Sequence, residues 1–209
     1  MNDLTRIRIL CVDDHPLFRE GIATVIAYQK DMQLVAMAGS ANDAINEYRA
    51  HQPDVTLMDL RLPDMSGIGA LSSIRADFPE ARIVILTTFE GDVEIHRALA
   101  AGACGYLLKS SSLEDLVEVV RKVHSGRKYL LSQVANCLAE HYSNAPLSDR
   151  EISVLTRIAE GARNRDIANT LSISEETVKV HVRHIMGKLD ARDRTQAVAI
   201  GIRRGIISI

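Results

Sequence analysis

Five short apolar runs, IRILCV (7–12), MQLVAMA (32–38), VTLM (55–58), RIVILT (82–87) and GYLLK (105–109), punctuate the first 125 residues. An amphipathic helical stretch follows each, near 16–28, 41–51, 66–77, 92–101 and 112–125. Near-continuous apolar runs belong to strands buried on both faces, which requires helices above and below a parallel sheet. The expected fold of this half is α/β, a (βα)5 unit with a five-stranded parallel sheet. In open sheets of this kind polar sites collect at the carboxyl ends of the strands.

The remainder reads differently. Residues 124–146, HSGRKYLLSQVANCLAEHYSNAP, open on Ser-Gly and close on a turn cluster, with a short helix expected near 132–142. The expected division is a domain over 1–125, a linker over 126–146 and a second domain over 147–209. In the second domain, residues 149–160, 164–171, 174–189 and 193–204 read as four helices with no strand pattern. Ser174, followed by Glu175 and Glu176, supplies a capping hydroxyl and two acids to the positive end of the third helix. A chain of 209 residues suits two small domains.

Charge separates the halves as well. Residues 1–145 hold 14 Lys and Arg against 19 Asp and Glu, whereas residues 146–209 hold 11 against 8, so an acidic half is joined to a basic one. A mildly positive small domain is compatible with a nucleic-acid surface. No apolar run approaches the roughly 20 residues of a membrane helix, and MNDLTRIRIL lacks the layout of a signal peptide, so the expected location is cytoplasmic with no membrane partner. Cys11, Cys104 and Cys137 have no CxxC spacing and the seven histidines no HExxH, which leaves a protein-only transition-metal site without support.

Asp59 follows VTLM directly, and Asp13 and Asp14 follow IRILCV, so a parallel sheet brings three carboxylates to one edge. Like charges that close repel, and a hard cation with a preference for oxygen, such as Mg²⁺, relieves the conflict. Thr87 ends the fourth run and Lys109 the fifth, adding a hydroxyl and an ammonium to the same rim. One Asp after a strand is ordinarily a cap, one Thr a strand end and one Lys a solvated charge. Four strand ends in register describe instead a pocket for a tetrahedral anion.

CVDDHPLFREGI, LMDLRLPDMSGI, ILTTF and AGACGYLLKS together resemble the receiver domain of bacterial response regulators, a flavodoxin-like fold, over residues 5–125. The resemblance implies that Asp59 is the phosphoacceptor, attacking the phosphohistidine of a sensor histidine kinase. It implies that Asp14 and Asp59 ligate Mg²⁺ directly, Asp13 through water, and that the backbone carbonyl of Arg61 completes the protein ligands. Thr87 would bond a phosphoryl oxygen, Lys109 would neutralise charge, and Tyr106 would be the aromatic that turns inward in the switch. Three positions depart from many relatives: Ser110 rather than Pro follows Lys109, and Arg61 and Thr88 are bulkier than some receivers carry there.

In 174–188 the residues Val178, Val182 and Ile185, continued by Leu189, form one buried stripe. The opposite face carries Glu176, Lys179, Val180, Arg183 and Gly187, and two cations one turn apart beside a short apolar side chain suit a helix in a DNA major groove. LSDREISVLTRIAEGARNRDIANTLSISEETVKVHVRHIMGKLDARDRTQAV resembles the LuxR-type helix-turn-helix domain across residues 147–198. The resemblance implies that Lys179, Val180 and Arg183 face bases while Ser174, Thr177, Lys188, Arg194 and Thr195 contact phosphates. It also implies a two-fold contact through the last helix, for which Val198, Ile202 and Gly201 are candidates.

The combined expectation is a response regulator of the NarL/FixJ type: a Mg²⁺-dependent phosphoacceptor rather than an enzyme. Its partners would be a sensor histidine kinase, double-stranded promoter DNA and RNA polymerase, with homodimerisation on phosphorylation and on DNA. Two rivals are weaker. An aspartyl-phosphate hydrolase of the haloacid-dehalogenase kind needs a second Asp two residues after the nucleophile, where Arg61 stands. A LuxR-type sensor of a small molecule would not need the acidic set.

Overall fold

A computed structural model describes residues 6–88, 91–130 and 146–207, which cluster into two compact units. The helix expected near 132–142 and Cys137 lie outside the described residues. The first unit runs β1 (Ile7–Val12), α1 (Pro16–Ala27), β2 (Met32–Ala38), α2 (Ala41–His51), β3 (Val55–Asp59), α3 (Gly67–Asp77), β4 (Ile83–Thr87), α4 (Asp92–Ala100), β5 (Gly105–Leu108), α5 (Leu113–His124) and β6 (Tyr129–Leu130). All strand pairs are parallel, in the order β2-β1-β3-β4-β5-β6.

The sheet therefore has six strands where five were expected. The sixth is two residues long, pairs with Gly105 and Tyr106, and falls within the stretch read as linker. A strand that short carries no alternation for a sequence pattern to reveal.

Alternation divides the core. Ile9, Cys11, Leu57, Val84, Leu86 and Leu107 point to one face, where they pack with Ile22 and Ile26 of α1 and with Val117, Val120 and Val123 of α5. Leu10, Met58, Ile85 and Tyr106 are buried on the other, where α2 contacts β1 and β2 and α3 lies along α2. Each such side chain contributes about 1.5–3 kcal/mol of burial. Cys11 and Cys104 are free thiols. Burial pushes the Cys11 thiol up to about 12, with the charge of Asp13 adding to the effect. No helix among the described residues is long and apolar enough to cross a membrane.

Among its described residues, the C-terminal unit is built on α6 (Asp149–Ala159), α7 (Asn164–Leu171), α8 (Glu175–Leu189) and α9 (Arg194–Arg203). Val154, Leu155, Ile167, Val178, Ile185, Leu189 and Ala197 form its centre. Three helix starts are capped by side chains: Ser148 accepts from Glu151 N, Ser174 from Thr177 N and Asp193 from Gln196 N. Gly201 is packed inside the unit, since a methyl group added there would stand 2.8 Å from Leu155 Cδ2. That favours a core role for Gly201 over a place in a contact between copies.

Glu151 does more than complete its capping box. Its Oε2 accepts from Ser148 N at 2.7 Å and lies 2.7 Å from Lys188 Nζ, tying the start of α6 to the end of α8. Lys188 Nζ also donates to the Pro146 carbonyl at 3.1 Å. Burial pushes the Glu151 carboxyl up, but the bonds from Lys188 and Ser148 outweigh it and hold the group below its ordinary value of 4.5.

A carboxyl depressed on folding adds stability above its unfolded pKa that is lost as the pH falls through the folded value. Glu151→Gln is expected to lower stability at pH 7 by about 2 kcal/mol. It should also make the decline below about pH 4.5 shallower than in wild type, read by thermal melts of the full chain from neutral pH downward.

Candidate functional site

Strand register assembles the acidic pocket. Val12 pairs with Met58, which sets Asp13, the next residue, beside Asp59. Asp59 pairs with Leu86, the residue before Thr87, and Thr87 pairs with Leu108, the residue before Lys109. The Lys109 amide donates to the Thr87 carbonyl at 2.7 Å, fixing the last two strand ends to each other. Four elements distant in sequence thus deliver Asp13, Asp59, Thr87 and Lys109 to one sheet edge.

The electrostatics centre on Lys109. Its Nζ stands 2.6 Å from Asp13 Oδ2 and 2.8 Å from Asp59 Oδ2, with the Phe18 ring centroid 4.9 Å away. Asp13 and Asp59 are only 1% and 3% exposed. Burial pushes the Asp59 carboxyl up, and the Lys109 bond works against it. Burial pulls the Lys109 ammonium down, but its bonds to the two acids prevail and raise it. The raised Asp59 carboxyl is therefore the mark of burial, and the raised Lys109 ammonium the mark of its two acidic partners.

Donor atoms from Asp13, Asp14, His15 and Asp59 lie within 4.8 Å of one another. Three carboxylates close together suit a hard divalent cation, so this donor set fits Mg²⁺. Arg61 lies at the same rim, its amide donating to Asp59 Oδ1 at 3.3 Å. The approach of the loop is tight: a methyl group on Gly67 would stand 1.9 Å from the Asp59 carbonyl oxygen, so only glycine fits. Thr87 is buried, and Tyr106 is fully buried.

Two contributors were not visible beforehand. His15 Nδ1 lies 3.1 Å from Asp13 Oδ1 and 2.5 Å from Asp14 Oδ1. Its place directly after the paired acids is the signal that points to it. Arg19 donates to the Asp13 backbone carbonyl and so steadies the same loop; a lone arginine one turn into a helix gives no such signal.

In the helical unit, Val178, Ile185 and Leu189 are buried and Val182 is partly so, as the stripe requires. Glu176, Lys179, Val180, Arg183 and Gly187 are exposed on the other side of α8. Val180 is 36% exposed, and Lys179 Nζ lies 3.1 Å from Glu176 Oε2. Ser174, Arg194 and Thr195 are exposed and Thr177 partly so. Arg194 donates to the Ala162 carbonyl at 3.1 Å. Lys188, expected at a phosphate, donates to Glu151 and to the Pro146 carbonyl.

Comparison with known proteins agrees with both halves. The response regulator receiver domain matches residues 9–121, and the family described as bacterial regulatory proteins, luxR family, matches residues 145–200. The transcriptional regulatory protein YxjL of Bacillus subtilis (strain 168) is 40% identical, covering 97% of this chain and 98% of its own. The response regulator protein VraR of Staphylococcus epidermidis (strain ATCC 12228 / FDA PCI 1200) is 38% identical over 96% of this chain and 99% of its own. The crystal structure of the response regulator ChrA of a heme-sensing two-component system has a TM-score of 0.59 at 33% identity, over 97% of this chain and 99% of that one. The chain belongs to the two-component response regulators that join a receiver domain to a LuxR-type DNA-binding domain.

Proposed function

We propose that this chain is a phosphorylation-controlled transcription regulator of the NarL/FixJ type, with Asp59 as phosphoacceptor and the exposed face of α8 as the reader of promoter DNA. The observation that carries the reading is the shared ammonium of Lys109 between Asp13 and Asp59 at the sheet edge. An Asp59 carboxylate oxygen attacks the phosphorus of a sensor kinase phosphohistidine. The P–N bond breaks, an acyl phosphate forms, and the departing imidazole takes a proton.

Asp13, Asp14, Asp59 and the Arg61 backbone carbonyl would hold Mg²⁺, which supplies neutralisation of charge on the transferring oxygens. Lys109 adds a second positive charge. Thr87 would donate to a phosphoryl oxygen, and Thr87 with Tyr106 would couple the phosphorylated state to the receiver surface. The protein is a switch, and hydrolysis of its own acyl phosphate is a slow reset rather than turnover of a substrate.

On DNA, Arg183 and Lys179 are the groups for guanine edges and Val180 for a thymine methyl. Ser174, Thr177, Arg194 and Thr195 position the helix on phosphates. Lys188 joins the supports of the fold, because its ammonium already holds Glu151. A homodimer formed on phosphorylation and on DNA matches an inverted-repeat site. RNA polymerase and a sensor histidine kinase are the remaining partners, and the cytoplasm is the location.

Two experiments check the reading. Wild type incubated with Mg²⁺ and acetyl phosphate is expected to gain the mass of one phosphoryl group and to bind DNA upstream of its own operon more tightly, while Asp59→Asn does neither. No gain in wild type would remove the phosphoacceptor role. With the duplex enriched by wild type from a random library, Lys179→Ala or Arg183→Ala should each weaken binding by about 10- to 100-fold and relax sequence preference. Unchanged affinity and preference would remove α8 as the reader.

A further inference from the structure

The loop from Leu60 to Ser66 carries the Arg61 carbonyl and is closed on itself. Gly67 N donates to the Leu60 carbonyl at 2.8 Å, and Arg61 bridges to Ser66. Those bonds shape the loop but do not fix it against the rest of the pocket rim. At its tip, the Asp64 carboxylate reaches across to another element. Oδ1 accepts from Ala41 N at 2.8 Å and Oδ2 from Asn42 N at 2.9 Å, while Met65 N adds a bond at 3.1 Å.

Ala41 and Asn42 begin α2, whose first-turn amides have no partners within the helix. The hydroxyl of the helix cap, Ser40, accepts from Asp43 N. The two Asp64 oxygens therefore take the next two amides in a charge-assisted pair at the positive end of the helix. Hydrogen bonds from those amides hold the Asp64 carboxyl below the usual carboxylate range.

The contact closes a circuit around the pocket. Asp13 N donates to the Ala38 carbonyl at the end of β2 at 3.1 Å. From Ala38 the chain runs through Gly39 and Ser40 to Ala41, crosses by Asp64 to the loop, and returns through Arg61 to Asp59. The pocket's donors thus sit on two pieces of chain, Asp13 and Asp14 after β1 and the Arg61 carbonyl in the loop, joined along this edge by Asp64.

We propose that Asp64 is a positioning residue for the metal: by strapping the 60–66 loop to the start of α2, it holds the Arg61 carbonyl at the separation from Asp13 and Asp14 that a divalent cation requires. The proposal rests on the reading of the pocket as a Mg²⁺ site.

The test is Mg²⁺ affinity of the unphosphorylated full chain by titration calorimetry, together with amide hydrogen exchange. Asp64→Ala is expected to weaken Mg²⁺ about tenfold and to speed exchange at Ala41, Asn42 and the loop. Asp64→Asn, which keeps one acceptor oxygen, should recover part of the affinity. Ser40→Ala removes a cap from the same helix without touching the loop, so it should lower thermal stability and leave Mg²⁺ affinity at the wild-type value. Wild-type affinity in Asp64→Ala, or an equal loss in Ser40→Ala, overturns the proposal alone. A wild type that binds no Mg²⁺ overturns the metal reading and the proposal with it.

Discussion

The receiver half depends on the ammonium of Lys109. Asp13 and Asp59 are buried side by side, and two carboxylates at this separation repel by roughly 3–4 kcal/mol at an effective dielectric of about 20. One cation within 2.8 Å of both converts that repulsion into a stable cluster. Because Lys109 follows β5 while Asp13 follows β1 and Asp59 ends β3, the attraction also draws together strand ends distant in sequence. The cluster aims two acids at one point without filling that point with a hydrocarbon side chain. A charged ligand can then enter a pocket whose electrostatics are already arranged.

What could be read from the residues was whatever repeats locally. The run IRILCV became β1 over Ile7–Val12, and the stretch 41–51 became α2 without a change of boundary, because burial on both faces and helical periodicity both leave a pattern in adjacent residues. Asp13, Asp59, Thr87 and Lys109 could be placed together because each ends a strand, so topology alone determined their meeting. β6 escaped because two residues hold no pattern. The bond of Lys188 escaped for a related reason: the residue follows Gly187 on α8, yet its partner Glu151 lies 37 positions earlier. Asp64 is the same case, a side chain whose partners are backbone amides 22 and 23 positions away. Contacts of this kind depend on tertiary placement, and nothing in the neighbouring sequence records them.

The two units use acids differently. In the receiver the acids at the sheet edge are crowded and need cations. In the helical unit Asp and Glu mostly serve helix starts, where unpaired amides and the dipole receive them. Glu151 combines both roles, since it closes the cap of α6 and neutralises Lys188. Of the eight acids among residues 146–209 only Glu151 is buried, while Asp166 and Asp193 accept from backbone amides at helix starts.

The tie between Lys188 and Glu151 bears on the ionic-strength behaviour of any complex this domain forms with a polyanion. Each lysine or arginine that neutralises a phosphate displaces about one condensed counterion, and the number displaced sets how steeply affinity falls with added salt. An ammonium already neutralised within the fold displaces none. For as long as Lys188 stays on Glu151, a count of cations along the sequence overstates the electrolyte sensitivity of this domain by about one ion.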